Sequence, residues 1–312
     1  MFSKKIQINI ALAPYTTFKI GGPASYFVEV TSKEELVEAV DWAKRQQLPY
    51  FVLGGGSNLL INDKGYKGLV IHLLNDELSV LDGVMIAGAG LALEKLVTAS
   101  IEGSLAGLVW ASGIPGTVGG AVRGNAGAYG GEVKDNILWV EYYDVENGQF
   151  GRLDKQFCDF NYRSSGFKLD AGKIIWRAAF GLTGASSEAL LAESVAIIAQ
   201  RQAKLPPEAS AGSVFKNLLV SDLTEASEAI ESLIRAGATK GGKLAAGTLV
   251  ESLALKGFVC GGASISKHHA NVIVNNQEAS ASDVLELIKL IKDKVRQEFG
   301  LDLVEEIYLL GF

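Results

Sequence analysis

Residues 111–131, ASGIPGTVGGAVRGNAGAYGG, place eight glycines among mostly small residues. Glycine inside a helix or strand costs about 0.5–1 kcal/mol relative to alanine, so a stretch that repeats this cost needs something from bare backbone. Bare backbone offers close approach and N–H donors. Gly113, Gly116, Gly119 and Gly120 flank Pro115 and Thr117, which predicts a tight turn whose amides converge on an anion or on the edge of a planar ring. A plain surface loop or close sheet packing is the competing explanation, and a second glycine run shifts the balance. Residues 53–60, LGGGSNLL, come directly off the β-type segment PYFV. Three glycines at the end of a strand let amides reach phosphate oxygens, and Ser57 and Asn58 add side-chain donors. Two such loops predict one large phosphorylated ligand held between them.

The rest of the composition bounds the possibilities. In 312 residues, 48% hydrophobic and 21% charged, there is material for two or three domains with real cores. A net charge of −6 argues against nucleic acid, whose partners present a basic face. Cys158 and Cys260 have no partner at metal spacing, so they predict a reducing compartment and no disulfide framework. The histidines are His72, His268 and His269, too few for a zinc site, and without a Gly-x-Ser-x-Gly elbow they make a histidine triad unlikely. The N-terminal residues MFSKKIQINIALAPYTTF lack the apolar core of a signal peptide, and no run of 18 apolar residues occurs. The expectation is a cytoplasmic protein with no membrane segment.

Along the chain, alternation in Ala24–Val30 predicts a strand, Thr31 and Ser32 ahead of Glu34 and Glu35 start a helix over 33–47, and Tyr50–Leu53 forms a strand. Strands over Gly68–Leu73 and Leu78–Gly88 lead to a helix over 91–102. Gly88-Ala89-Gly90 begins a dinucleotide fingerprint, but the third glycine position holds Leu93, which excludes a Rossmann loop. Asn147-Gly148 predicts a two-residue hairpin turn between Asn136–Val145 and Gln149–Leu153. A strand over Lys173–Leu182 precedes a helix capped by Ser186 or Ser187, and Pro206-Pro207 mark a domain boundary. Beyond it come a helix over 223–236, a loop whose Gly242-Lys243 lacks the hydroxyl residue of a Walker motif because Leu244 follows, a helix over 246–255, a strand Asn271–Asn275, a last helix capped by Ser282 and ended by Gly300, and a final strand Leu303–Leu310.

Four side chains invite chemistry. Arg163, among Phe160, Tyr162 and Phe167, is a permanent cation that needs an anion from a ligand or from a neighbouring acid. Ser213 is an ordinary turn serine unless a ligand-side anion accepts its proton. Glu305 and Glu306 fall on opposite faces of the last strand, and periodicity alone does not choose between them.

The motifs TTFKIGGPA, LGGGSNLL, WASGIPGTVGGAVRGNAGAYGGE, Tyr162-Arg163, RQAKLP, SAGSVFKN, KHHANVIVN and LDLVEEIYLLG follow one another in an order that resembles the UDP-N-acetylenolpyruvoylglucosamine reductases from about Thr16 to the end. The resemblance implies an α+β chain: a two-subdomain FAD-binding fold of the vanillyl-alcohol-oxidase (PCMH-like) type over residues 1–75 and 76–204, then an α+β substrate-binding domain over 205–312 whose C-terminal strand contributes to the active site. The short interval from Arg163 to Ser213 is similar to the subclass that lacks an inserted, substrate-covering tyrosine loop.

The resemblance also implies a site. FAD would be held by Leu53, Gly54, Gly55, Gly56, Ser57, Asn58 and Leu59 around its pyrophosphate, and by Ser112, Gly113, Ile114, Pro115, Gly116, Thr117, Gly119, Gly120, Ala121 and Asn125. NADPH is the implied co-substrate, and UDP-N-acetylglucosamine enolpyruvate the implied substrate, in peptidoglycan precursor synthesis by a monomer. Hydride addition to the enolpyruvyl carbon leaves an enolate-like carboxylate that Arg163 and a protonated Glu306 would stabilise, and Ser213 would protonate the adjacent carbon. Tyr162, Lys204, Lys216 and Asn217 match substrate-binding positions. The chain departs from the family at Lys267-His268-His269, at Leu218 and in a longer 219–242 segment, which bears on UDP binding. Another FAD-dependent oxidase or dehydrogenase, or a non-catalytic flavin or nucleotide-sugar carrier, remains as the alternative.

Overall fold

The computed structural model describes residues 5–223 and 228–312, and the chain divides into two compact units. Unit 1 comprises Met1–Ile10, Ala24–Gly56 and Lys67–Ala203, and unit 2 comprises Ala11–Pro23, Ser57–Tyr66 and Lys204–Phe312. The division after Ala203 falls one residue before the expected domain boundary. Two N-terminal pieces join unit 2, which a linear reading of domains does not anticipate.

Among the described residues unit 1 holds a four-stranded and a five-stranded sheet, with two short two-stranded pairs besides. The four-stranded sheet runs in the order Gln7–Ala11, Pro23–Val30, Tyr66–Leu73, Tyr50–Leu53. Its last pair is parallel, with Leu53 opposite His72, and the helix Lys33–Arg45 connects the strands Pro23–Val30 and Tyr50–Leu53. That helix starts at Ser32, whose hydroxyl accepts the Glu35 N–H, and buries Leu36, Ala39, Val40 and Ala43 at helical spacing. The five-stranded antiparallel sheet has the order Gln149–Asp154, Ile137–Asp144, Lys173–Gly181, Val84–Gly88, Leu78–Leu81. One sheet is built from residues before position 75 and the other from residues after it. We retain the subdomain division there as a proposal on that ground.

Two expectations in this unit need correction. Leu78–Gly88 is a hairpin of two strands, turned by Asp82 and Gly83 at φ 49° and 76°, the paired positive φ that an Asp-Gly turn supplies. Asn147-Gly148 does not make a two-residue turn. Asp144 pairs with Gln149 across four loop residues, 145–148, with the Asp144 carboxylate accepting the Glu146 and Asn147 amides.

Unit 2 centres on an antiparallel sheet ordered Ala209–Ser213, Val272–Asn275, Ala263–Ile265, Val259–Cys260. The helix Ala281–Phe299 buries Val284, Leu287, Ile288, Ile291, Val295 and Phe299, joined in one core by Phe18, Ile20 and Leu60. Ser280, not Ser282, is its cap: Ser280 and Asp283 form a reciprocal capping box, while the Ser282 hydroxyl binds Asp63. Gly300 at φ 69° closes the helix as expected. The expected strand Leu303–Leu310 shortens to Tyr308–Leu310, which runs parallel to Leu59–Ile61. Of the helix expected over 223–236, Glu228–Arg235 is helical, and 224–227 lie outside the described residues. Among the described residues no helix is long and apolar enough to cross a membrane.

Ser280→Ala should destabilise unit 2 by about 1 kcal/mol through loss of the cap, and Ser282→Ala by less. Urea unfolding curves of the two variants check this, and equal losses would contradict the assignment of the cap to Ser280.

Candidate active site

In unit 1 the two glycine loops touch. The strand Tyr50–Leu53 delivers Gly54 and Gly55 against the loop that precedes the helix Val118–Gly124. A Cβ on Gly54 would lie 2.5 Å from Thr117 Oγ1, and one on Gly55 would lie 2.7 Å from Gly116 Cα. Gly55, Gly113, Pro115 and Gly120 are exposed along these loops, so bare backbone from both runs faces outward. A dinucleotide needs such a surface, with main-chain atoms approachable and no side chain in the way.

Other members of the expected cofactor set face inward. Leu53 and Leu59 are buried in strands, and Ala121 is buried in the helix. Ser112 is buried with its hydroxyl 2.8 Å from Ser194 Oγ. The Gly119 N–H donates to Ala89 O, and a Cβ there would meet Ala89 Cβ at 2.8 Å, so close packing explains this glycine. Val118 N–H is likewise spent on Leu91 O. The side chains of Leu53, Leu59, Ser112 and Ala121 therefore pack into the fold. Ile114 is half-buried against the unit 1 core. Thr117 caps the short helix by accepting the Gly120 N–H at 3.4 Å.

Asn125 is likewise turned into the fold. It is fully buried at φ 42°, donates to Glu132 Oε2 (2.7 Å) and Asn161 O (3.0 Å), and accepts Lys134 N–H. Its carboxamide is a strut for the loop that carries Arg163. In that loop Asn161 and Ser164 exchange both backbone hydrogen bonds (3.0 and 3.1 Å), with Tyr162 and Arg163 at the tip. Arg163 adopts φ 53°, a left-handed conformation that costs a non-glycine residue on the order of 1–3 kcal/mol and is kept only where surroundings enforce it. Here the Arg163 guanidinium donates to Gly127 O at 2.7 Å, Lys168 Nζ donates to Arg163 O at 3.0 Å, and Ser165 Oγ donates to Arg123 O at 2.8 Å. The guanidinium carbon lies 5.3 Å from the Tyr162 ring centre.

Unit 2 brings Ser213 and Glu306 together. Glu306 N–H donates to Val214 O at 2.7 Å, Lys216 N–H donates to Val304 O at 2.9 Å, and Phe215 bridges Glu305. The segment 213–216 therefore lies against 304–306, although ninety residues separate them in sequence. Asn271 holds the first of these segments: its Oδ1 accepts Phe215 N–H (3.0 Å), its Nδ2 donates to Phe215 O (2.8 Å), and its own carbonyl accepts Val214 N–H (2.8 Å). Asn271 is buried, so these bonds form away from competing water. Sequence reading missed it, because an asparagine at a strand start gives no sign of what it clamps. Glu305, left open by periodicity, is paired with Lys292 at 2.7 Å. Glu306 is half-buried.

Of the expected substrate positions, Lys204 is exposed at the end of the helix Ser187–Lys204, and Lys216 is half-buried. Asn217 uses its Oδ1 to accept the first amide of the helix Ala246–Ser252 at 3.2 Å. Lys267 and His268 help line a cavity of about 290 Å³ with Ser264, Ser266 and Asn276. His269 turns away from this pair: its Nδ1 accepts Asn271 N–H at 3.2 Å, which leaves Nε2 as the protonated nitrogen of the neutral ring.

Residues 24–154 match the FAD binding domain model, and residues 202–310 match the model of the UDP-N-acetylenolpyruvoylglucosamine reductase C-terminal domain. With the paired glycine loops, the first match defines the chain as a flavoprotein of α+β build. The chain is 35% identical over 308 residues to the UDP-N-acetylenolpyruvoylglucosamine reductase of Solibacter usitatus, covering 98% of this chain and 97% of the relative. It is 37% identical over 311 residues to the enzyme of that name from Synechococcus, covering 98% and 94%. The crystal structure of the Thermus caldophilus reductase superposes with a TM-score of 0.77 at 33% identity, covering 98% of this chain and 99% of that one. The chain belongs to the UDP-N-acetylenolpyruvoylglucosamine reductase family.

Burial, and then the positive charge of Lys256, hold the His269 imidazole below its ordinary value of 6.5. Because the folded state disfavours the proton, His269 should stay neutral at pH 7 and bind a proton only as pH falls further, at a cost to stability that grows as pH drops below 6.5. An NMR titration of the ring nitrogens checks this, and a midpoint at or above 6.5 would contradict it.

Proposed function

We propose that this chain reduces UDP-N-acetylglucosamine enolpyruvate to UDP-N-acetylmuramate with NADPH, as an FAD-dependent monomer in the cytoplasm that takes small-molecule partners and no nucleic acid. The observation that carries the reading is the backbone hydrogen bond from Glu306 to Val214, which seats a carboxyl-bearing residue and Ser213 on adjoining segments in a member of this family. FAD fits the backbone of the two glycine loops: Gly54, the exposed Gly55, the buried Gly56 and Ser57 would take the pyrophosphate, and Gly113, Ile114, Pro115, Gly116, Thr117 and Gly120 would lie along the flavin and diphosphate. When bound, FAD supplies a two-electron relay from NADPH to the enolpyruvyl methylene carbon.

The protein's own part is charge and proton management. Arg163, held at its loop tip by Gly127 O, neutralises the substrate carboxylate as charge develops on it. Glu306 donates a hydrogen bond to the same carboxylate from its protonated form. Ser213 delivers a proton to the carbon beside it, a step worth typically 10²–10⁴-fold when a positioned group performs it. Tyr162, Lys204, Lys216 and Asn217 hold the nucleotide-sugar, Asn217 with its oxygen committed to the helix start.

An anaerobic titration tests the assignment. NADPH should bleach the bound flavin, and the enolpyruvyl substrate should restore its colour in stoichiometric amount. A flavin that bleaches and regains colour only with oxygen would instead identify an oxidase. Ser213→Ala should leave bleaching within about threefold of the parent and slow recolouring by on the order of 10²-fold or more; equal slowing of both steps would remove Ser213 from the proton-transfer role.

Gly55→Ala drives a Cβ into Gly116 Cα, and two backbones cannot yield as a side chain can. The variant should fold yet retain flavin at least tenfold more weakly, measured by fluorescence on dilution. Unchanged retention would mean that the contact between the loops does not shape the FAD site.

A further inference from the structure

Asn58 is expected, from its place in the glycine loop, to serve the dinucleotide. Its bonds go elsewhere. The carboxamide Nδ2 donates to Glu306 O at 3.0 Å, and the Asn58 carbonyl accepts Tyr308 N–H at 2.9 Å. One residue thus brackets 306–308 with side chain and main chain, and directly beyond it Leu59 pairs with Tyr308 in parallel register. On its other side the Glu306 peptide is fixed by its N–H to Val214 O at 2.7 Å. Both polar groups of the Glu306 peptide therefore have assigned partners, and Asn58 supplies the one that anchors the carbonyl.

We infer that Asn58 is a positioning residue for Glu306, so that the loop which begins with Gly54 and ends at Asn58 both offers backbone to the cofactor and sets the acid. The inference rests on the proposed reaction for its catalytic consequence, though not for its structural part. A carboxylic acid that must donate one hydrogen bond to a developing charge tolerates little displacement, and a shift of about 1 Å costs on the order of 10²-fold. Asn58 fixes the peptide from which that side chain departs. It touches no reacting atom in this scheme and acts only through Glu306.

The test compares Asn58→Ala and Asn58→Asp with the parent in the full chain. Asp keeps the shape but has no N–H to give Glu306 O, so both variants should behave alike. Hydrogen exchange in the flavin-free protein should speed up at least about tenfold across 304–310, with exchange over the remainder of unit 2 unchanged. In the loaded enzyme, FAD affinity and NADPH bleaching should stay within about threefold, while recolouring falls on the order of 10²-fold with little change in KM for the enolpyruvyl substrate. Unchanged exchange over 304–310 would overturn the inference, as would a variant that loses FAD affinity while its loaded fraction recolours at the parent rate. If a variant loses both flavin and recolouring, the exchange result in the flavin-free protein decides. A parent enzyme that never recolours would defeat the proposed function and leave the exchange result standing.

Discussion

The constraint on which the candidate site of unit 1 depends is the missing room for a side chain where Gly54 and Gly55 meet Gly116 and Thr117. Close approach of two backbones is possible only where neither carries a Cβ, and it converts two loops sixty residues apart in sequence into one continuous main-chain surface. The surrounding sheets serve that contact. The parallel pair Tyr50–Leu53 and Tyr66–Leu73 aims the first loop, and the Leu93 and Val118 amides, bound to Gly116 O and Leu91 O, hold the second. The glycines divide between two jobs: Gly119 is small because Ala89 lies against it, whereas Gly55, Gly113 and Gly120 expose their backbone.

Unit 2 solves a different problem, that of holding short irregular segments without long ladders. The strand Ala209–Ser213 ends at Ser213 and the strand Tyr308–Leu310 begins two residues after Glu306, and asparagines take over from regular pairing. Asn271 satisfies both polar groups of Phe215, and Asn58 satisfies the Glu306 carbonyl. A carboxamide carries donors and an acceptor on one short stem, so it can substitute for a missing strand neighbour. Burial makes each bond at Asn271 strong and its loss costly.

How much of this was legible in the sequence depended on the range of the interaction. Local periodicity located the helices Lys33–Arg45 and Ala281–Phe299, and glycine content singled out both loops. The order of motifs picked out the family, and full-length relatives show it. What escaped were pairings between distant residues. Nothing near Asn125 announces that its carboxamide faces Asn161 and Glu132, and nothing near Ser280 separates it from Ser282 as a cap except that Asp283 stands three residues on. The Asp82-Gly83 turn was readable by the rule applied to Asn147-Gly148, and the continuous apolar run around it hid the signal. The choice between Glu305 and Glu306 could not come from alternation, because the segment is not regular strand there; the ion pair of Glu305 with Lys292 separates them.

The parallel pairing of Leu59–Ile61 with Tyr308–Leu310 carries a consequence for biosynthesis. Leu60 and Ile61 are completely buried in the finished protein, yet their partner strand is translated about 250 residues later. At about 5–20 residues per second, on the order of 10–50 s pass between the two. Throughout that interval an apolar strand edge waits beside the ribosome, so the nascent chain is open to capture by chaperones or by its neighbours on a polysome until Tyr308–Leu310 emerges and pairs with it.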